Sequence, residues 1–287
     1  MRVLVLTAAA GVAAEAAERV AAAMEAAGMA PEAPRRLADT AVEIAFAGAG
    51  DPRPLAGDAL DANVVPAEGR RKRLLIADMD STIIGVECID ELADFAGVKP
   101  QVAAITEAAM RGELDFEGAL RARVALLEGL PEKALAECYA ERVQLNPGAR
   151  ILVRTMAGLG ADTALVSGGF EVFTARVAAE AGFARNQANR LLVAGGLLTG
   201  TVGEPILGRA AKLAALRALA AAGGYPAEAV LAVGDGANDL DMVAAAGLGV
   251  AYRAKPALKA AAGAAIDVSD LTALLALQGI AEDAWRD

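Results

Sequence analysis

The chain contains no histidine and only two cysteines, Cys88 and Cys138, among 287 residues. The first absence excludes His-based triads, His metal sites and phosphohistidine chemistry. Two cysteines so far apart make no disulfide framework, which fits a reducing compartment. Aromatic residues are scarce at 3 %, and so is positive charge: 27 Lys and Arg oppose 37 Asp and Glu, a net charge of −10. No basic run is longer than Arg70-Arg71-Lys72-Arg73. Nucleic acid is therefore not an expected partner, because phosphate-backbone binding needs a broad positive face. The same acidity repels anions at long range, so a phosphate ester would need local positive charge from a metal or a placed Lys or Arg. No stretch approaches the ~18 uncharged apolar residues of a membrane span, and no membrane partner is expected. The start superficially resembles a signal peptide, with Arg2 ahead of apolar residues. Glu15, Glu18 and Arg19 then continue at helical spacing without a convincing cleavage site, so a cytoplasmic location is expected.

Small apolar residues are plentiful. Apolar side chains make up 56 % of the chain, enough to bury a sizeable core without disulfides or structural metal. Residues 1–66 read as a small α+β unit: a strand over 3–7, a helix over about 13–28, a strand over about 42–46, then a short helix or turn ending at Val64-Val65. Ala49-Gly50-Asp51-Pro52 breaks the pattern before that last element. The polar, basic run from Pro66 to Arg73 reads as a linker. From Leu74 onward short apolar strands alternate with helices, which predicts a parallel α/β sheet. The strands are Leu74-Leu75-Ile76-Ala77, Thr163-Ala164-Leu165-Val166 and Val230-Leu231-Ala232-Val233. Between the first two lie about eighty mostly helical residues, within which Leu120, Val124 and Leu127 keep helical spacing. That length exceeds any ordinary crossover, so it reads as a helical cap over the open end of the sheet, spanning about 85–147. Further on, Ala194-Gly195-Gly196 between two apolar runs predicts a β-hairpin.

Three polar clusters directly follow the three strands, where ligands bind in open α/β sheets. Asp78-Met79-Asp80-Ser81-Thr82 places two carboxylates at a strand end, one able to attack phosphorus and the other to handle the leaving-group proton. A polar turn would look the same. Val166-Ser167-Gly168-Gly169-Phe170 reads as the opening of a helix, with a hydroxyl and free N–H groups suited to phosphate oxygens, or as a capping serine with permissive glycines. Gly234-Asp235-Gly236-Ala237-Asn238-Asp239 offers the hard oxygen ligands that Mg²⁺ selects, or a turn capped by Asp239.

Taken together and in this order, the three clusters resemble the haloacid dehalogenase (HAD) superfamily, and within it most closely the phosphoserine phosphatase family. The resemblance covers about residues 70–280 and includes Glu87-Cys88-Ile89-Asp90-Glu91-Leu92-Ala93 and the stretch from Phe116 to Val124. It implies a Rossmannoid parallel sheet with a helical cap inserted after the first strand, forming a catalytic domain over 74–287. It also implies a Mg²⁺-dependent hydrolysis of O-phosphoserine through a phosphoaspartate, the last step of serine biosynthesis. By that resemblance Asp78 is the nucleophile and Asp80 the general acid and later base. Mg²⁺ would sit on Asp78, the main-chain carbonyl of Asp80 and Asp235, with Asp239 behind them. Ser167, Gly168, Lys212 and Asn238 would hold the phosphate. Glu87 and Arg123 would take the substrate ammonium and carboxylate, and Met110 and Phe116 would close over it. Residues 1–66 resemble a truncated ACT-like domain, a fold that binds amino acids or mediates homodimer contacts, or serve as a packing appendage. Every candidate catalytic residue lies beyond Leu74, so the catalytic domain is expected to fold and work without them. Two other readings stay open: a phosphotransferase passing the phosphoryl group to an alcohol such as homoserine, and a non-catalytic serine-binding protein. The intact Asp78, Asp80, Lys212 and Asp235 weigh against the second.

Overall fold

The computed structural model describes residues 1–111 and 113–287, Met110 by its backbone alone. The first unit runs β1 (Arg2–Thr7), α1 (Ala14–Ala26), β2 (Arg35–Ala38), β3 (Ala41–Phe46), a 3₁₀ turn at Arg53–Leu55 and β4 (Asp61–Pro66). Its strands form an antiparallel sheet in the order β2-β3-β1-β4. One face, carrying Leu4, Leu6, Val42, Ile44 and Phe46, packs on Ala17, Val20 and Met24 of α1.

The chain then enters β5 (Leu74–Ala77), four helices α2 (Cys88–Phe95), α3 (Lys99–Met110), α4 (Phe116–Ala125) and α5 (Lys133–Arg142), and returns through α6 (Ala149–Gly158) to β6 (Asp162–Phe170). There follow α7 (Glu171–Ala181), β7 (Arg185–Asn189), the hairpin β8 (Leu191–Ala194) and β9 (Leu197–Val202), α8 (Arg209–Gly223) and β10 (Val230–Gly234). The last elements are α9 (Leu240–Ala245), β11 (Leu248–Tyr252), α10 (Pro256–Ala261), β12 (Ala264–Ile266) and α11 (Ala273–Leu277). Six strands make one parallel sheet in the order β12-β11-β10-β5-β6-β7. The central strands are apolar throughout because both faces are covered. Leu75, Leu165, Leu231 and Val233 point to the layer holding α6, α7 and α11. Leu74, Ile76, Val166 and Ala232 point to the layer of α8, α9 and α10. Since β10, β5 and β6 are neighbours, the three polar clusters share one end of the sheet.

The four helices α2–α5 lie between two strand-like segments joined by an antiparallel bridge, Ile84 to Leu145. Leu120, Val124 and Leu127 are buried at their helical spacing. The hairpin turn is Gly195-Gly196, both with positive φ (59° and 79°), as a two-residue turn between right-twisted strands requires. This hairpin is bonded to the cap: Gly129 N–H donates to Leu198 O, Leu198 N–H to Leu130 O and Glu132 N–H to Gly196 O, each at 2.9 Å. Among the described residues no helix is long and apolar enough to cross a membrane.

Three expectations need correction. Residues 61–66 form a strand rather than ending a helix or turn, and 35–38 form a strand that the sequence hid. In β4 the alternation is inverted: Asp61 and Asn63 are buried at 6 % and 5 % exposure. Asn63 presents its amide to β12 as a strand would, donating to Ala265 O and accepting from Ala265 N–H, both at 2.9 Å. Asp61 accepts the N–H groups of Asp267 (2.8 Å), Val268 (3.2 Å) and Ser269 (2.8 Å). Second, the Ser167–Phe170 stretch does not open a helix. It continues β6, and α7 starts at Glu171. Third, the run 66–73 is no free linker. Arg70 is buried, donating to Glu43 (2.7 Å), Leu277 O (3.1 Å) and Ala276 O (3.0 Å) at the carboxyl end of α11. The second face of the first sheet, with Val3, Val5, Leu37 and Ala41, belongs to the same apolar cluster as Leu274, Leu275 and Ile280. The first unit thus packs on the second through an apolar face as well as through Arg70.

Arg70→Ala leaves one Glu43 oxygen and two helix carbonyls without partners in a dry interface, though Glu43 keeps Arg35 on its other oxygen, and should destabilise the protein by about 1–3 kcal/mol. Removing the exposed Arg53–Asp51 pair by Arg53→Ala should cost under about 1 kcal/mol. Urea unfolding of both variants measures the difference, and equal small losses would show that the latch does not hold the two sheets together.

Candidate active site

The residues at the carboxyl ends of β5, β6 and β10 converge on one buried ammonium. Lys212, fully buried on the first turn of α8, lies 2.6 Å from Asp78 Oδ2 and 2.7 Å from Asp239 Oδ1. Asp78 caps the turn that follows β5, accepting the Met79 N–H at 2.7 Å, and Asn238 Nδ2 stands 3.5 Å from its other oxygen. Asp239 stands at the N-cap position of α9, but its carboxylate caps the loop before it and not that helix. Its Oδ2 accepts the N–H groups of Asp235 (3.2 Å) and Gly236 (3.1 Å), folding the loop after β10 around itself. A Cβ on Gly234 would fall 2.3 Å from Asp239 Cγ, so glycine is required there. Asp235 is half-buried and has no Lys or Arg within ion-pairing distance among the described residues; its one side-chain partner is the Thr82 hydroxyl at 3.5 Å.

Asp80 enters from the same loop. Its Oδ1 accepts the Cys88 N–H at 3.3 Å, and its Oδ2 lies where a Cβ on Gly169 would come within 2.7 Å. Gly169 thus lets the carboxyl reach the site. Ser81 adopts φ 56°, the left-handed region, and its hydroxyl donates to Glu87 at 2.7 Å. Ser167 is buried, accepts the Gly169 N–H at 2.9 Å and keeps its own hydrogen free for an acceptor. From the cap, Phe116 lays its ring on Gly168 and Gly208: an added Cβ would sit 3.1 Å from ring carbons at either glycine. Arg123 is half-buried, bonds only to Ala119 O of its own helix at 3.3 Å, and has no carboxylate within ion-pairing distance among the described residues. The side chain of Met110 lies outside the described residues.

Three further polar residues support the site, two of them, Asn146 and Asn189, outside every motif of the sequence. Thr82 joins the first loop to Asp235. Asn146, where the chain re-enters from the cap, donates its amide to Thr82 O (2.9 Å) and its N–H to Ile83 O (2.8 Å), bracing the loop that carries Asp78 and Asp80. Asn189, at the end of β7, is buried and bonded to Gly168 and Leu207. Asn146 and Asn189 are each a lone polar residue in an unremarkable context, and only long-range contact reveals them.

The electrostatics follow from crowding. Burial, then the charge of Asp239, lifts Asp78 well above the ordinary carboxylate range against the pull of Lys212. Burial and the charge of Glu87 raise Asp80 to about 7, so it holds a proton near neutrality. Burial and the charge of Asp239 raise Asp235 to about 6. For Lys212, burial works to discharge the ammonium, but Asp78 and Asp239 outweigh it and the pKa rises. Burial lowers Arg123, opposed by the charges of Asp90, Glu87 and Asp80. The centre therefore holds an excess of carboxylate, with oxygens of Asp78, Asp235 and Asp239 all within 4.8 Å of one another. This donor set suits a hard divalent cation. Asp78 and Asp239 each already engage Lys212 and backbone N–H groups, whereas Asp235, bonded only to the Thr82 hydroxyl among the described residues, is the freest ligand of the three.

Comparison with known proteins agrees with this arrangement. A family model described as haloacid dehalogenase-like hydrolase matches residues 75–244. The chain is 46 % identical over 254 residues to a phosphoserine phosphatase of Streptomyces coelicolor, covering 85 % of this chain and 62 % of that protein. It is 48 % identical over 211 residues to phosphoserine phosphatase SerB2 of Mycobacterium tuberculosis, covering 74 % of this chain and 51 % of that protein. It thus spans less than two thirds of the length of either relative. A crystal structure of a probable phosphoserine phosphatase from Vibrio cholerae superposes with a TM-score of 0.82 at 32 % identity, over 99 % of this chain and 88 % of that one.

Asp80 and Asp235 hold protons in the folded state between their ordinary value of 3.8 and about 7 and about 6 respectively, where the unfolded chain has released them. The folded state binds more protons in that window, so stability should fall as pH rises through it. Thermal melts in chelator should show Tm declining from about pH 5 to about pH 8. Millimolar Mg²⁺ should lessen the decline, and Asp80→Asn should flatten it. A Tm independent of pH in chelator would contradict this account.

Proposed function

The chain belongs to the haloacid dehalogenase-like hydrolase family, and on that footing we propose that it hydrolyses O-phosphoserine to serine and phosphate through a phosphoaspartate on Asp78. The observation that carries the reading is the pairing of two cations with different tasks. Lys212 is buried against the nucleophile and Asp239, while Arg123 waits on the cap without an anionic partner among the described residues. A phosphate monoester that also bears a carboxylate satisfies both. The names of the relatives support the same substrate.

Asp78 attacks phosphorus through a carboxylate oxygen, and the bond from phosphorus to the serine oxygen breaks. Asp80, protonated near neutrality, gives its proton to that oxygen as serine departs. In the second half Asp80 takes a proton from water, whose oxygen attacks the phosphoaspartate. The bond from phosphorus to the Asp78 oxygen breaks, releasing phosphate and restoring both carboxyl groups. Ser167 and the backbone at Gly168 hold the phosphoryl oxygens, with Asn238 beside them, and Lys212 carries the positive charge that balances them. Asp78, the Asp80 carbonyl and Asp235, with Asp239 behind them, would hold a Mg²⁺ ion, which would supply further positive charge against the repulsion between anions. At the cap, Glu87 takes the substrate ammonium and Arg123 its carboxylate, while Phe116 excludes water.

We read residues 1–66 as an ACT-like unit and 74–287 as the catalytic domain, with its cap over about 85–147. The strand order β2-β3-β1-β4 is that of a βαββαβ sheet whose second helix is replaced by the turn at Arg53–Leu55.

Asp78→Asn should cut turnover at least about a thousandfold while leaving Tm near that of the parent, since the amide is a poor nucleophile of the same shape. Normal turnover by the folded variant would sink the covalent route. For substrate choice, Arg123→Ala should lower kcat/KM on phosphoserine roughly tenfold to a hundredfold and leave phosphoethanolamine, which lacks the carboxylate, nearly unchanged. Glu87→Gln should hurt phosphoserine more than phosphoglycolate, which lacks the amine. Equal losses on all three esters would remove the basis for assigning phosphoserine.

A further inference from the structure

We propose that Asn189 is a positioning residue that sets the slot into which the cap closes. Asn189 lies at the end of β7 with 2 % exposure, remote from the acidic centre in sequence. Its Nδ2 donates to Gly168 O (2.8 Å) and Leu207 O (3.1 Å), and its Oδ1 accepts the Leu207 N–H (2.6 Å). One side chain thus ties the phosphate-binding end of β6 to the residue before Gly208, at the start of the helix that carries Lys212. Both polar ends of the amide are engaged, and among the described residues neither segment hydrogen-bonds the other directly through its backbone.

The two segments joined by Asn189 are those that receive Phe116. The ring stands 3.1 Å from a Cβ placed on Gly168 and 3.1 Å from one placed on Gly208, so it is flanked by two glycines. Neither glycine is needed for backbone conformation: Gly208 has φ −119° and Gly168 is not among the positive-φ glycines. Their lack of a side chain is what makes room. The two backbones lie side by side, a Cβ on Gly168 falling 3.8 Å from Leu207 O, so the slot is a shallow one with a floor of two bare glycines across which the ring lies. Asn189 fixes how these backbones sit relative to one another, and its role follows: it keeps the floor level, so that cap closure brings Phe116, and α4 with Arg123, to one defined depth over the substrate. Reading this as substrate closure rests on the phosphatase assignment, whereas the docking of α4 does not.

The test is a double-mutant cycle with a second readout that needs no substrate. Asn189→Asp keeps the shape and the bond to Leu207 N–H but loses both donors and repels Gly168 O. It should lower kcat/KM on phosphoserine roughly tenfold, with KM carrying most of the change, and raise hydrogen exchange in the Phe116–Ala125 helix of the substrate-free protein. Phe116→Ala should give similar changes, and the double variant should be little worse than Phe116→Ala alone, since both remove the same docking. Gly208→Val, which leaves the Asn189 bonds in place and fills the slot, should also loosen the helix, and its effect should disappear in the Phe116→Ala background. Losses that multiply in the double variants, or unchanged exchange in that helix, would overturn the proposal. If the parent protein turned over no phosphoserine, the substrate reading would fall while the exchange data still judged the slot.

Discussion

An ammonium enclosed between two carboxylates is the constraint around which this molecule is arranged. Lys212 has no exposure to solvent, and a lone buried charge is costly enough to be discharged unless it is paired. Asp78 and Asp239 keep it charged, and Lys212 in turn lets two acids stand close together. The arrangement demands that three strand ends lie side by side, which the order β10-β5-β6 provides. It also demands a bare backbone at Gly234, where Asp239 turns beneath its own loop. Even so, negative charge remains in excess, with Asp235 unpaired. The site is thus short of positive charge by an amount that a divalent cation makes good, and a phosphorylated substrate adds to the demand.

Around this rigid centre the cap brings selectivity. It is anchored by the Ile84–Leu145 bridge and braced by Asn146, yet it also includes the β8–β9 hairpin, which hydrogen-bonds to residues 129–132. The helices therefore carry with them a piece of chain that belongs, in sequence, to the connection leading into α8. Helical insertion and hairpin share one body, which meets the core through the ring of Phe116 on one side and through Tyr139 of α5, bonded to Glu180 of α7, on another.

Much of this was legible in the sequence, for a physical reason. Asp78, Asp80, Ser167, Asp235 and Asp239 sit in short motifs next to apolar strands, where local pattern and local geometry coincide, whereas Lys212, on the first turn of α8, was marked only by the family resemblance. The strands β5 and β10 were visible because a doubly covered parallel strand must be apolar throughout. What stayed hidden depended on distant partners. The strand β4 was missed because Asp61 and Asn63 point inward to satisfy the backbone of 265–269, some two hundred residues away, which reverses the usual alternation. Arg70 looked like linker because a basic run normally faces water. Asn146 and Asn189 carry no motif, as their worth lies in carbonyls brought near only by folding. The glycines after Ser167 suggested a helix start, but their use is to admit Asp80 and Phe116.

The Arg70 latch bears on how such a protein is assembled from parts. Its guanidinium draws together a strand of the first sheet and the carboxyl end of the final helix, while Asp61 and Asn63 cover the outer edge of the second sheet. An exchange of the first unit for a foreign one must reproduce an acid at the position of Glu43 and polar edge residues at 61 and 63. A transplant lacking them leaves a stranded charge and an open sheet margin, the kind of margin to which other chains add strands. The first unit of this chain is therefore no freely exchangeable module: its replacement must bring its own means of closing that margin.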